Sequence, residues 1–225
     1  MLQEQKDYWI DDYGLVWDQY DEAFTEPAPV HALGTLIHTI EAYMAAAEAT
    51  TEPEWLDRAE KMTAFAYKVA SKNNWRIPEY YDEEWQPSLE AGKLCNDGRR
   101  YHEGYVTGHS MQLARFTLQV RAGLRSMGWD VPDYLLEMGT ELFERARVDG
   151  WRRTGGAPGF STGVNDQGDP VPGEDEHQQW VVCEGVCAAV AVRRAMLDDG
   201  HRLDEVEHFE HCYRSFVDYI HDYLI

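Results

Sequence analysis

The sequence predicts an all-α fold of the α/α-toroid type, in which helical hairpins follow one another around a central cavity. Three observations lead there. Apolar residues recur with helical spacing nearly everywhere. The helices come in pairs, the first of each pair rich in Ala, Val and Leu all round and the second carrying a charged stripe. A helix that is apolar all round is buried and one with a polar face is outside. Finally, the connections between pairs are long, aromatic and themselves repetitive, and arrays of repeated units of this size bury a core only by stacking on their neighbours.

The first pair is "HALGTLIHTIEAYMAAAEAT" (31–50) followed by "WLDRAEKMTAFAYKVASK", with Thr51 and Glu54 spaced as a capping box and Pro53 in the first turn. The second is "YVTGHSMQLARFTLQVRAGL" (105–124) and, after the turn "RSMGWD", "VPDYLLEMGTELFERARVD", expected to start at an Asp130 cap and to stop at Gly150. The third is "EHQQWVVCEGVCAAVAVRRAML" (176–197), the turn "DDGH", and "LDEVEHFEHCYRSFVDYIHDYLI". Among the connections, "LVWDQYDEAF" (15–24) aligns without a gap to "RIPEYYDEEW" (76–85), and "GAPGFSTGVNDQGDP" (156–170) has the Gly, Asn and Asp content of a tight hairpin. No linker interrupts the pattern, so residues 1–225 read as one toroid domain. Six helices and part of a seventh amount to an arc of about three to four hairpins. A ring of twelve would need on the order of 350 residues.

Composition narrows the function. Forty-one acidic against twenty basic residues give a net charge of -21, which repels phosphate backbones and anionic headgroups. Nucleic acid and membrane surfaces are therefore excluded as expected partners. Neither an export signal nor an apolar run of about 18 residues is present, which predicts a cytoplasmic protein. Five lysines against fifteen arginines make this a lysine-poor, carboxylate-rich surface, read as a solubility device. Of the cysteines at 95, 183, 187 and 212, Cys183 and Cys187 are expected to be small core thiols, and no metal site is expected.

Three inner-helix starts carry comparable polar pairs: His38 with Glu41, His109 with Gln112, and Trp180 with Glu184. Spacings of three and four put each pair on one helix face, and the positive helix end points each pair at whatever fills the cavity. Around the mouth, Trp17, Tyr80, Tyr81 and Trp85 are candidate stacking faces for a ring-shaped ligand, or else plugs for the barrel edge.

Taken in order, "HTIEA", "PEYYDEEWQP", "GHSMQ", "GGAPGFSTGVNDQGDPV" and "WVVCE" resemble the N-acylglucosamine 2-epimerase superfamily over the chain from about residue 8 to 225. The resemblance implies an (α/α)6 barrel, a sugar substrate, no cofactor, and proton transfer at C2 through an enediol. It also implies roles: His109 as the proton-transfer base, His38 as a sugar contact, and Trp180 and Glu184 as a cavity-facing pair; Gln112 as a hydroxyl contact and Trp85 as a stacking face are expected sugar contacts beside those. Imidazole suits the task because its ordinary pKa of about 6.5 lets it both take and return a proton near neutrality. The chain departs from the family at Leu36 and Ile37, where an Asn-Met pair is usual, and at Gln112 and Leu113, where Glu-Trp is usual. The family's second catalytic histidine falls beyond the last helix here, and His221 lies too early to replace it. A homodimer or a complementary half-barrel chain is the expected partner. The competing expectations are a non-catalytic carbohydrate-binding or assembly subunit, and an α/α-toroid glycoside hydrolase using Glu41 and Glu184.

Overall fold

The computed structural model describes Glu4 and residues 9–88, 104–152, 158–172 and 177–225. Cys95, Gly155, Gly156 and Glu176 lie outside the described residues. Within them run α1 (Leu33–Thr50), α2 (Pro53–Ala70), α3 (Thr107–Ser126), α4 (Tyr134–Gly150), α5 (Gln179–Asp198) and α6 (Leu203–Tyr223). Helices α1, α3 and α5 stand side by side with α3 in the middle, and α2, α4 and α6 back them. The three expected hairpins are thus present as an arc of inner and outer helices.

Sequence spacing explains each layer. In α1, Leu33, Leu36, Ile37, Ile40 and Tyr43 bury one face, while His38, Glu41, Ala45 and Glu48 occupy the exposed one. Helix α3 is buried almost all round. Its interruptions include His109 at the helix start and, on one stripe at spacings of four and three, Arg115, Gln119 and Ala122. On α5 the corresponding stripe is Trp180, Cys183, Glu184, Cys187 and Val190. The three stripes together form the concave face of the arc. Cys183 and Cys187 are therefore exposed rather than core thiols, because they sit on the open stripe while Val181, Val182, Ala188 and Ala189 take the packed side.

Two expected helix starts are corrected. Thr51 does not cap α2; it adopts a left-handed conformation (φ 58°) that ends α1 and donates its N–H to the Ala47 carbonyl. Helix α2 instead begins at Pro53, whose fixed φ and missing N–H suit the first helical position. Helix α4 begins at Tyr134 rather than beside Asp130, since Pro132 lies in the segment leading in and the first turn closes between Leu135 N–H and the Pro132 carbonyl.

Neither α1 nor α3 has a side-chain cap. The next long connection supplies one from its backbone: the Leu33 N–H donates to the Glu79 carbonyl at 2.8 Å and the Thr107 N–H to the Thr162 carbonyl at 3.0 Å. Two-residue strands hold those carbonyls in register. β1 (His31–Ala32) pairs with β2 (Tyr80–Tyr81), which also pairs with β3 (Pro87–Ser88), while β4 (Tyr105–Val106), ahead of α3, pairs with β7 (Gly163–Val164). A further pair, β5 (Trp151–Arg152) with β6 (Gly159–Phe160), closes the end of α4. The loop repeat seen in the sequence becomes a repeated turn. Asp11, Asp82 and Asn165 each accept two backbone N–H groups, two and four residues on, and Gly14, Trp85 and Gly168 follow in the left-handed region. Asp21 and Phe24 form a longer version.

Candidate active site

His109 is the third residue of α3, and its Nδ1 lies 2.8 Å from a carboxylate oxygen of Glu79. A carboxylate only accepts, so Nδ1 carries the hydrogen and donates it, leaving Nε2 with the free lone pair. Glu79 is 3% exposed. Its backbone carbonyl caps α1 while its side chain orients the histidine of α3, so one residue ties two inner helices together at the site. Burial pushes the His109 imidazole toward its neutral form, but the Glu79 carboxylate, by charge and hydrogen bond, and the charge of Glu184 outweigh it and hold the pKa above its ordinary value.

The rest of the first shell comes from α1 and α5. A Cβ placed on Gly34 would stand 3.5 Å from His109 Cε1 and 3.7 Å from Nε2, so the missing side chain leaves the ring's free edge uncovered. The Trp180 ring lies 5.3 Å from that of His109. It reaches there only because residue 108 is a glycine, since a Cβ at Gly108 would come within 2.3 Å of the indole. Thus the "GH" pair works as a unit: the glycine admits the tryptophan that packs on the histidine. The Trp180 indole N–H donates to the Gln178 side chain.

One turn along α5, Glu184 accepts from both Arg115 Nε (3.0 Å) and Nη2 (3.1 Å), a bidentate pair with 19% and 16% side-chain exposure. The Arg115 guanidinium also lies 4.1 Å over the Phe116 ring centroid. Arg115 borders two grooves in the concave face. The first, of about 590 Å³, brings Glu41 and Glu48 of α1 opposite Arg115 and Gln119. The second, of about 700 Å³, runs between α3 and α5 past Cys187 and Val190.

The other expected site residues divide. His38 pairs with Glu41 at 3.2 Å on the exposed face of α1, at 62% and 49% side-chain exposure, and of the two it is Glu41 that lines the groove beside α1. Gln112 is 8% exposed. Trp85 is corrected: it is 4% exposed, its indole N–H donates to Asp11 at 2.6 Å, and its ring stacks on His31 at 4.0 Å with Phe65 edge-on. Both of its faces are covered, so it locks two loops together and has none left for a sugar. Tyr81 is likewise buried, and Trp17 stacks on His31 from the other side.

Sequence reasoning missed Glu79 and Arg115. The aligned loops hold a signal for the first, because Glu79 stands where Asp18 does, and Asp18 lies 3.6 Å from His31. Arg115 has no such signal, as its partner is 69 residues away. Among the described residues no three His, Cys, Asp or Glu side chains are grouped to hold a metal ion.

A histidine held by a buried carboxylate at an inner-helix start, within an α/α-toroid arc, defines a class. The N-acylglucosamine 2-epimerase (GlcNAc 2-epimerase) family model matches residues 2–225, and the chain belongs to that family. Its relatives include a D-mannose isomerase of Pseudomonas cannabina pv. alisalensis, 30% identical over 217 residues, which are 96% of this chain and 50% of the relative. Among solved structures, that of a D-mannose isomerase superposes with a TM-score of 0.81 at 21% identity, over 97% of this chain and 52% of that one. The cellobiose 2-epimerase of Spirochaeta thermophila DSM 6192 superposes with a TM-score of 0.71 at 16% identity, over 100% of this chain and 51% of that one. The chain thus spans about half the length of the curated relatives it matches, and the toroid architecture of the arc is that of these structures.

Proposed function

We propose that this chain carries one proton-transfer half of a sugar 2-epimerase or aldose-ketose isomerase, with His109 as the base. The observation that carries the reading is the Glu79–His109 pair: Nδ1 is engaged by a buried carboxylate and Nε2 is left free beside Gly34. In the reaction Nε2 takes the proton from C2 of an open-chain aldose, and the C2–H electron pair forms the C1–C2 double bond of an enediol as the carbonyl oxygen gains a proton. Return of a proton to the opposite face of C2, with loss of the O1 proton, gives the epimer. Return to C1, with loss of the O2 proton, gives the ketose. Glu79 stabilises the imidazolium formed in between. Glu184, held by Arg115, and His38 with Glu41 serve as hydroxyl contacts, Trp180 as an apolar wall, and Gln112 as a hydroxyl contact reached from the helix interior.

The glycoside hydrolase alternative is the weaker one. It needs one of Glu41 and Glu184 to be a proton donor, and Glu184 is engaged at both oxygens by Arg115, which suits an acceptor. The reading includes a partner for the concave face, either a second copy or a chain segment with the complementary helices, since the matched relatives are about twice as long. The test is incubation in deuterated water with mannose, fructose, glucose, N-acetylmannosamine and cellobiose. Deuterium uptake at C2 that is lost in His109→Ala is the expected result. Uptake that survives the substitution removes His109 from the mechanism, and saturable sugar binding without exchange, even with the complementary half present, makes the chain a binding subunit.

A further inference from the structure

We propose that Arg115 is a positioning residue for the reaction assigned above: its fork holds the Glu184 carboxylate in place and offsets part of the charge that Glu184 presents to His109. The inference rests on that reading of His109, and deepens it by naming the group that sets the base's electrostatic surroundings.

Besides the contacts of Arg121 and Arg125 with Asp198 and Asp199 at the far end, two cross-links join α3 to α5. At the helix start His109 meets Trp180, and deeper in the cavity Arg115 meets Glu184. Glu184 thus stands one turn beyond the tryptophan that packs on the base, and its charge is felt at the imidazole. The groups facing His109 are few. From the loop between α2 and α3 comes Glu79, from α5 come Trp180 and Glu184, and from α1 only the backbone of Gly34. His38 and Glu41, the remaining charged groups on the exposed face of α1 near its start, pair with each other. Two carboxylates against one imidazole would favour the imidazolium, which is useless as a base. One of the two is needed to orient Nδ1. The other is tied at both oxygens to a guanidinium, which cannot lose its proton at any physiological pH. A fork of this geometry fixes the carboxylate in direction as well as in charge, and Lys could supply only the charge. With both acceptor oxygens held, Glu184 retains outer lone pairs for a hydroxyl of a bound sugar. The other face of Arg115 borders the groove that also contains Glu41 and Glu48.

The experiment is an NMR titration of the His109 ring in the whole chain, which reads the base without requiring turnover. Arg115→Gln, which exposes the Glu184 charge, is expected to move the His109 midpoint up. Glu184→Gln, which leaves the guanidinium uncompensated, is expected to move it down, and Arg115→Met/Glu184→Gln, which removes both charges, to bring it back above Glu184→Gln and close to wild type. Arg115→Lys should restore most of the wild-type midpoint while leaving KM raised, since the charge returns without the fork. An Arg115→Gln midpoint equal to or below wild type overturns the proposal. Should Arg115→Gln fail to fold, the comparison of Glu184→Gln with the double variant decides: a midpoint below wild type in Glu184→Gln that returns toward wild type in the double variant supports the proposal, and coincident midpoints, or no fall in Glu184→Gln, overturn it. If the midpoints order as stated but no sugar exchanges deuterium, the positioning role stands and the catalytic reading falls. If exchange occurs but the midpoints do not so order, the reverse holds.

Discussion

The charge on His109 depends on residues that contribute from three different segments, and this gives the site a defined pH response. Its raised pKa places the acid limb of kcat/KM above the ordinary imidazole value of about 6.5. Glu79→Gln should lower that limb, because an anionic partner becomes neutral, while also lowering kcat through loss of ring orientation. A pH-rate profile checks both. The same pair bears on stability. A group whose folded pKa is raised contributes stabilisation that is full below its unfolded value and fades as pH rises through the folded one. Wild type should therefore exceed Glu79→Gln in denaturation midpoint by more at pH 6 than at pH 9. An equal gap at both would mean that the pair adds no charge-dependent stability. Glycines 108 and 34 predict opposite outcomes at one site. Gly108→Ala drives a Cβ into the Trp180 ring at 2.3 Å and should cost about 1–3 kcal/mol while displacing that ring. Gly34→Ala meets His109 at an ordinary 3.5 Å and should fold normally yet raise KM by narrowing the approach to Nε2. Thermal melts and steady-state kinetics on the two variants separate the effects.

Helices α1 and α3 begin where a loop carbonyl, not a side chain, meets the first N–H group, so these long connections are structural parts of the helix layer. The turn around Trp85 shows how. Trp85 takes a left-handed conformation that its repeat equivalents, Gly14 and Gly168, adopt without steric cost. Burial of its ring and the hydrogen bond to Asp11 offset the strain. Asp11 in turn closes its own loop with the Tyr13 and Leu15 N–H groups. Asp11→Ala should therefore cost about 2–4 kcal/mol by removing three hydrogen bonds in a buried setting, and tryptophan fluorescence should report a more polar Trp85. At the other side of the arc, Arg76 forms a bidentate pair with Asp149 at 2.7 and 3.0 Å, joining the loop after α2 to the end of α4. Both side chains are buried. Arg76→Met leaves a buried carboxylate with only the long Arg145 contact and should cost about 3–5 kcal/mol.

Across the whole molecule, the two ends of the arc differ among the described residues. On α1, Leu36, Ile37 and Ile40 turn into the core and the open stripe carries His38, Glu41, Ala45 and Glu48. At the far end Leu203, Val217, Tyr223 and Ile225 of α6 and the residues after it remain exposed. Apolar surface gathered on one flank favours association there. We expect sedimentation velocity at micromolar concentration to show a dimer or larger species, and Val217→Glu to shift it toward monomer. A well-behaved monomer that turns over sugar unaided would show that the arc is sufficient alone. Among the described residues no helix is long and apolar enough to cross a membrane.

Helix number, pairing, the inner and outer layers and the place of His109 at an inner-helix start were legible in the sequence, because helical periodicity and the alternation of apolar with striped helices are local properties. The Asn165 turn was legible too, from the Gly, Asn and Asp content of the connection over 156–170. What neighbouring side chains do to one another needed the tertiary structure. "PEYYDEEW" marks a loop rich in acids and aromatics, yet nothing local separates Glu79, which turns to His109, from Glu83 and Glu84, or sends Trp85 inward to Asp11 instead of outward to a ligand. Arg115 and Glu184 each read as one charge on an apolar helix. Only the packing of α3 against α5 makes them a pair, because a bidentate contact between residues 69 apart depends on the rotation and offset of two helices, which periodicity does not encode.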